Sequence, residues 1–286
     1  MRDGVPQGGD DDGTDAGPGS NPGTVQQCNK MDIVFVVDDS GSMEEEQTNL
    51  ATNFPMFAQL LSQYQVDGQP LDFRIGVTTT GRTVTYNVID GFPVTEVGDN
   101  GAFKDNCGSS ARFLQSTDPN VESVLSCRAN VGTGGPSVEM PLLMSKYALS
   151  ERIADGTNGD FVRPDALLAI VMLTDEEDSS TTMDGFTLDA NGNAPPNWNP
   201  QDEVDFLDQL KGNRTRWAAA AIAGDGDCSS SFGDAVDATR LKQFVQLANG
   251  QGTTQAVFSS ICDGDLTIGL KAALDTFQAA CGNIIL

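Results

Sequence analysis

Two continuous apolar runs, at residues 33–37 and 167–173, set the strongest constraint on how this chain folds. An apolar run without polar alternation is typical of a strand that is buried on both faces of a parallel sheet. Each run is followed at once by side chains that carry oxygen, which are Asp38-Asp39-Ser40-Gly41-Ser42 and Thr174-Asp175. Open α/β sheets bind ligands outside the carboxyl ends of their strands, at the point where strand order reverses. The two segments are therefore predicted to lie at one site.

Strand-like and helix-like segments alternate along most of the chain. The helix predicted over 43–65 contains Pro55, which is expected to kink or split it. The alternation of Val84, Tyr86 and Val88 favours a short antiparallel edge strand with one wet face. We predict an α/β fold, which is a Rossmann-like open, mostly parallel six-stranded sheet with one antiparallel edge strand and helices on both faces. The predicted strands are 33–37, 73–77, 84–88, 167–173, 217–223 and 255–258.

Composition divides the chain into two parts. Residues 1–28 are rich in Gly, Asp and Pro, which predicts a disordered acidic tether. Residues 29–286 are predicted to form one folded domain with insertions near 91–130 and 176–200. No apolar stretch reaches the roughly 18 residues of a membrane-spanning helix, and the sequence does not open on a signal-peptide pattern. If the protein is exported, we expect its signal to have been removed from this sequence.

Charge and residue types exclude several functional classes. The chain has 16 Lys and Arg against 41 Asp and Glu, which gives a formal net charge of −25. Nucleic acids and anionic membranes attract basic surfaces, so neither is expected as a partner. The chain contains no histidine, which removes Ser-His-Asp catalysis, Cys-His catalysis and zinc sites that need an imidazole. Cations, or partners that bring a metal or a basic patch, are favoured.

Six cysteines are scattered through the sequence without a CxxC pair, so the spacing of a zinc ribbon is missing. An even number of scattered cysteines favours disulfides and an oxidising compartment; the alternative is six free thiols in a cytosolic protein. The spacing leaves the connectivity open. The pairing adopted as a prediction is Cys107–Cys127, Cys228–Cys262 and Cys28–Cys281, of which the last would tie the two ends of the domain together.

The oxygen ligands after the two buried strands suit a hard divalent cation. Asp38, Ser40 and Ser42 follow the first strand, and Asp175 follows the fourth. Hydroxyl and carboxylate oxygens are appropriate for Mg²⁺, which keeps several waters when it binds to proteins. The alternative is that Ser40 and Ser42 only cap the following helix, since capping serines are common. In that interpretation the two aspartates are ordinary residues at strand ends.

The segment from Ile33 to Met43 resembles the first strand and the Asp-x-Ser-x-Ser motif of von Willebrand factor A domains and integrin I domains. The predicted strand 167–173, which Thr174-Asp175 follows, lies at the distance that this family leads us to expect. The resemblance covers about residues 31–283. Residues 174–178, together with Ser259, Ile261, Cys262 and Asp265, are similar to a bacterial, exported branch of the family.

The resemblance implies a metal-ion-dependent adhesion site. Ser40 and Ser42 match its two direct hydroxyl ligands. Asp38 and Asp175 match the two carboxylates, which usually reach the metal through water. The expected ion is Mg²⁺, with Mn²⁺ or Ca²⁺ as alternatives.

A further ligand of the family is a threonine on the loop before the third major helix. Thr133, in the sequence Gly132-Thr133-Gly134-Gly135, is the preferred match. Ser137 is the competing match, because Gly-Gly-Pro-Ser can also be aligned with this loop.

The preferred function is that of a metal-dependent, adhesion-type binding domain rather than an enzyme. A protein or glycan partner would place a carboxylate on the open coordination position of the metal. One alternative is a structural or assembly subunit that the metal stabilises, and another is a metal-dependent hydrolase that uses Asp175 with Glu176 or Glu177. The expected location is extracytoplasmic: secreted, periplasmic or on the outer surface as a lipoprotein. The oligomeric state stays open.

Overall fold

The computed structural model describes residues 28–282 apart from 67, 89–90, 231–232, 251 and 253. The tether predicted for residues 1–28 lies outside the described residues, except for Cys28. The described strands are β1 (Lys30–Val37), β2 (Gln65–Val66), β3 (Gln69–Pro70), β4 (Asp72–Thr79), β5 (Val84–Asn87), β6 (Pro93–Glu96), β7 (Leu114–Gln115), β8 (Leu167–Leu173), β9 (Phe186–Thr187), β10 (Trp217–Ala223), β11 (Cys228–Ser230), β12 (Gly233–Ala235) and β13 (Ala256–Ser260).

The helices alternate with these strands along the chain. Short 3₁₀ turns precede α1, β10 and α7, at Gly41–Met43, Arg214–Arg216 and Ile261–Asp263. The described helices are α1 (Glu44–Gln63), α2 (Val121–Ala129), α3 (Pro141–Leu149), α4 (Glu151–Ala154), α5 (Pro200–Lys211), α6 (Thr239–Ala248) and α7 (Leu266–Gly282).

A six-stranded sheet in the order β13-β10-β8-β1-β4-β7 forms the centre of the molecule. The strands run parallel except for β7, which is antiparallel to β4. The predicted α/β fold class is therefore confirmed. The chain leaves β1 toward β4 on one side and later crosses to β8 on the other side. The carboxyl ends of β1 and β8 are thus neighbours at the point where strand order reverses, which is where open α/β sheets bind ligands.

The antiparallel edge strand is not the one predicted from the sequence. The strand predicted over 84–88 exists as β5, but it pairs with β6 and β9 in a separate three-stranded sheet. The edge of the main sheet is β7 instead, where Leu114 lies opposite Ile75. Val84 and Tyr86 do face inward, and the Tyr86 ring stacks on Phe186 of the 176–200 insertion with 6.0 Å between centroids. The alternation of apolar and polar residues therefore predicted a strand with one buried face correctly, but it did not predict the sheet to which this strand belongs.

The two faces of β1 supply two separate cores. Ile33, Phe35 and Val37 pack with α1 and α7, whereas Val34 and Val36 pack on the side of α3, α5 and α6. This division explains why the strand shows no polar alternation.

Helix α1 runs from Glu44 to Gln63 without a break, so the expected split at Pro55 is wrong. Phe54 and Phe57 on either side of this proline both pack edge-on against Phe35. These contacts anchor the helix to the core on both sides of the proline.

All three predicted disulfides are confirmed. The Cα–Cα distance is 6.0 Å in Cys107–Cys127, 6.2 Å in Cys228–Cys262 and 5.2 Å in Cys28–Cys281. The pair Cys28–Cys281 joins the residue before β1 to the end of α7, across a sequence separation of 253 residues. Both of its cysteines are buried in the core that α1 and α7 share.

In the described part of the chain, no helix combines the length and apolarity needed to cross a bilayer.

The disulfide between the two ends of the domain should contribute measurably to stability. Replacing both Cys28 and Cys281 by Ala should lower the free energy of unfolding by about 2–5 kcal/mol, because the crosslink restricts the unfolded chain. Urea denaturation of the oxidised protein measures this change. The matched control replaces Cys107 and Cys127, which close a separation of only 20 residues, and should cost less. Equal stability of the Cys28/Cys281 variant and the parent protein would contradict the expectation.

Candidate metal centre

Asp38 occupies the carboxyl end of β1 and is completely buried. One carboxylate oxygen accepts a hydrogen bond from the backbone N–H of Ser40 at 2.8 Å. The other accepts one from the Thr174 hydroxyl at 2.5 Å. The backbone carbonyl of Asp38 accepts from the Gln47 side chain at 2.8 Å. The segment after β1, the end of β8 and the start of α1 are thereby joined around one residue.

The hydroxyl groups of Ser40 and Ser42 face each other, with 3.0 Å between their oxygens. The Ser42 hydroxyl also donates to Glu176 at 3.4 Å. Ser40 is the N-cap residue of the Gly41–Met43 turn, but its side chain makes no capping hydrogen bond, and neither does Met43 before α1. The capping alternative therefore does not describe what these hydroxyl groups do.

Asp175 lies at the carboxyl end of β8 with 1% of its surface exposed. Neither carboxylate oxygen has a hydrogen-bond partner of normal geometry among the described residues. Burial raises the pKa of this carboxyl to about 8; the charge of nearby Asp38 adds to the rise, and the Ser42 hydroxyl opposes it. Such a buried group is costly unless something compensates for the lost hydration.

Several further carboxyl groups surround these residues. Burial raises the pKa of Asp39, Glu46 and Glu176 to about 7 in each case. Burial likewise raises the pKa of Glu139 well above its ordinary value, with the Asp38 charge as the next cause. At Asp39, the positive charge of Lys104 partly offsets the rise in pKa that burial causes. The carboxyl end of the sheet therefore concentrates buried acid groups that disfavour one another's ionisation.

At the opposite end of β1, a buried aspartate is paired with a cationic side chain. Asp32 is also completely buried, and it accepts hydrogen bonds from the backbone and the Nε of Arg163, both at 2.7 Å. Among the described residues, no ion pair includes Asp38 or Asp175. A divalent cation between Asp38 and Asp175 would supply the compensation that Arg163 supplies to Asp32. The donor set, with its orphaned carboxylate, thus fits a bound cation.

Carboxylates alone do not complete such a site. In the described ranges, no three acidic or cysteine side chains converge closely enough to hold a metal ion by themselves. A cation at this place would therefore need the hydroxyl groups of Ser40 and Ser42 as direct ligands. Carboxylates that act through metal-bound water do not need to converge as closely, and Mg²⁺ commonly keeps such waters.

The loop before α3 contacts this cluster through Gly135. The Gly135 N–H donates to the Asp39 carbonyl at 2.7 Å. A Cβ at Gly135 would lie 2.2 Å from the Asp39 carboxylate, so only glycine permits this approach. Thr133 is exposed, and no described hydrogen bond joins it to the cluster. The Ser137 hydroxyl is bonded to Glu96 at 3.0 Å.

The acidic loop after Asp175 has its own partners. Asp178 is buried and pairs with Arg240 at 2.9 Å. Glu177 accepts hydrogen bonds from the backbone N–H groups of Arg240 and Asp178, at 3.0 and 2.9 Å. These two acids tie the loop to the start of α6, so only Glu176 of the run 176–178 faces the serine hydroxyl groups.

Sequence reasoning missed two acids of this cluster. Glu46 lies in the first turn of α1, where an acidic side chain is usually solvated, but it is only 3% exposed. Glu139 was not singled out, although it is a lone acid in the apolar stretch 138–144. A charged residue inside such a stretch is the signal that could have identified it, because buried acids are rare without a partner or a function.

No family model matches the sequence, and no curated protein matches it either. Among solved structures, the chain is similar to proximal thread matrix protein 1 from the mussel byssus, with 16% identity and a TM-score of 0.46, covering 87% of this chain and 49% of that one. It is similar to the pilus adhesin SpaC from Lactobacillus rhamnosus GG, with 13% identity and a TM-score of 0.45, covering 88% of this chain and 31% of that one. It is also similar to the manganese-loaded TRAP protein of Plasmodium vivax, with 12% identity and a TM-score of 0.39, covering 88% of this chain and 75% of that one.

The chain thus spans about half the length of the mussel protein and about a third of the pilus adhesin. At these identities and scores, the fold class depends on the sheet order of this chain and not on the matches.

The two buried aspartates at opposite ends of β1, Asp32 and Asp38, should respond oppositely to removal of their charge. Asp38→Asn should weaken Mg²⁺ binding at least about tenfold and leave the melting temperature in chelator unchanged or raised, since no cation partner is lost. Asp32→Asn should leave Mg²⁺ binding within about twofold and destabilise the fold by about 3 kcal/mol or more, because it leaves Arg163 without its buried partner. Calorimetric titration and thermal melts measure both effects. The same loss of stability in both variants would argue against a metal centre at Asp38.

Proposed function

We propose that this chain is a divalent-metal-dependent binding domain that captures an acidic group of a protein partner. The observation that carries the proposal is Asp175, which is buried beside Asp38 and the serine hydroxyl groups without a hydrogen-bond partner among the described residues. Asp38, Ser40, Ser42 and Asp175 hold the ion, as the resemblance to von Willebrand factor A domains implies. The chemistry that the ion supplies is Lewis acidity toward an oxygen ligand.

The ligand balance favours an anionic partner. Two neutral hydroxyl groups are direct ligands, and the two aspartates act through water, so the ion keeps much of its positive charge. Ser42 is exposed, so the site opens to solvent on that side. A carboxylate is the hard oxygen ligand that a partner protein offers to Mg²⁺ at an open position. The resulting binding depends on the ion and is lost in chelator.

The 176–200 insertion lies where it can shape specificity. A cleft of about 470 Å³ lies next to Asp175, and its lining includes Glu176 and two residues of the insertion, Asn191 and Asn193. Its wall includes Val236, whose N–H donates to the Asp175 carbonyl at 2.9 Å. Partner side chains next to the metal-bound carboxylate would enter this cleft. Its lining residues are Glu176, Glu177, Asn191, Asn193, Asp227, Val236 and Asp237.

We further propose an extracytoplasmic location, secreted or attached to a cell surface, with a lipoprotein as one form of attachment. The three disulfides support this location because such bonds form and persist in oxidising compartments. The competing function is a structural subunit that the ion only stabilises. It is favoured by the same buried carboxylates, since any cation that binds the native state alone stabilises it.

The open coordination position is tested with Mn²⁺ as a paramagnetic probe. The protein loaded with Mn²⁺ should enhance the relaxation of water protons, because exchanging water occupies the open position. Added acetate should displace that water and lower the relaxation, whereas acetamide, which has the same shape without the charge, should have little effect. The measurement is proton relaxivity at constant ionic strength.

The control variants separate ligands from bystanders. Ser40→Ala combined with Ser42→Ala should abolish Mn²⁺ binding and keep the fold, while Ser126→Ala, a serine on α2, should behave as the parent protein. Relaxivity that acetate does not change would favour the structural subunit. Absence of any Mn²⁺ binding by the parent protein would overturn the proposal itself.

A further inference from the structure

We infer that Glu139 is the residue that the loop before α3 contributes to the metal centre, in the role that the resemblance gives to Thr133. This inference rests on the proposed function, since it requires a bound ion. It changes the ligand set from two carboxylates to three, with the third acting through metal-bound water.

The backbone of Glu139 spans the end of β1. On one side it forms an isolated bridge with Gly81, and Met140 N–H donates to the Thr80 carbonyl at 3.1 Å, just after β4. On the other side its carbonyl accepts from Ser179 N–H at 2.7 Å, in the loop after β8. Because β4 and β8 are the two neighbours of β1, a residue held by both following loops lies across the carboxyl end of β1.

The side chain of Glu139 is directed into the cluster. The residue is 1% exposed, and its carboxyl lies near enough to Asp38 for the two charges to act on each other. One oxygen accepts from the Thr80 hydroxyl. The other has no hydrogen-bond partner among the described residues. A buried acid with one oxygen held in position and the other without a donor is arranged to accept from a metal-bound water.

The two residues expected from the sequence lack these features. Thr133 is exposed and makes no described hydrogen bond to Asp38, the serines or Asp175. Ser137 is engaged by Glu96 through both its N–H and its hydroxyl, at 2.9 and 3.0 Å. Among the described residues, no three acidic side chains form a group that could hold an ion by themselves. Carboxylates can instead hold the waters of an ion while the two serine hydroxyl groups bind it directly.

The test is calorimetric titration of Mg²⁺ and Mn²⁺ into the full chain and its variants. Glu139→Gln should weaken binding about 10–100-fold, which is the usual cost of losing a residue that orients a metal's ligands. Thr133→Ala and Ser137→Ala should stay within about twofold of the parent protein. Circular dichroism and melting in chelator establish that each variant is folded.

A second pair of variants changes Thr80 and leaves every acidic residue of the sequence unaltered. Thr80→Val removes the hydroxyl that holds Glu139 and should weaken Mg²⁺ binding several-fold, whereas Thr80→Ser retains the hydroxyl and should not. This pair decides the matter if Glu139→Gln does not fold.

Four outcomes overturn the inference. Unchanged Mg²⁺ affinity in folded Glu139→Gln, or a tenfold loss in Thr133→Ala, overturns it and leaves the proposed function standing. Equal affinity of Thr80→Val and Thr80→Ser overturns it where Glu139→Gln is unfolded. A parent protein that binds neither ion removes the proposed function together with this inference.

Discussion

Uncompensated buried carboxyl groups at the carboxyl end of β1 are the constraint on which the candidate site depends. Asp38, Asp175 and Glu139 are each at most 1% exposed, and none takes part in a described ion pair. Burial of an anion without a partner is expensive, so a native state that contains several of them favours any cation that fits between them. At the amino-terminal end of the same strand, buried Asp32 does have such a partner, because Arg163 forms an ion pair with it.

The fold positions these groups through backbone connections more than through side-chain packing. The switch of strand order at β1 makes Asp38 and Asp175 neighbours, although 137 positions of sequence numbering separate them. The Thr174 hydroxyl then links the end of β8 to Asp38 at 2.5 Å. Gly135 permits its loop to approach Asp39, and Glu139 spans the loops after β4 and β8. The apolar cores on both faces of the sheet stabilise this edge without contributing side chains to the candidate site.

The buried strands could be predicted from the sequence because their pattern is local. The apolar runs 167–173 and 217–223 coincide with β8 and β10 residue for residue, since both faces of these strands meet helices. The antiparallel edge could not be predicted in the same way. Leu114–Gln115 is only two residues long, and pairing of so short a segment depends on what lies beside it. The continuity of α1 through Pro55 also depends on tertiary contacts, because the phenylalanines on either side of the proline pack against Phe35.

The sequence by itself determined the parallel sheet, the strand ends that carry Asp38, Ser40, Ser42 and Asp175, and the cysteines available for disulfides. These follow from residue type and spacing along the chain, which local physics can interpret. Only the tertiary structure decided that Glu139 and Glu46 belong among the buried acids and that Ser137 is bonded to Glu96. Burial and hydrogen-bond partners arise from segments far apart in the sequence, so no local pattern specifies them.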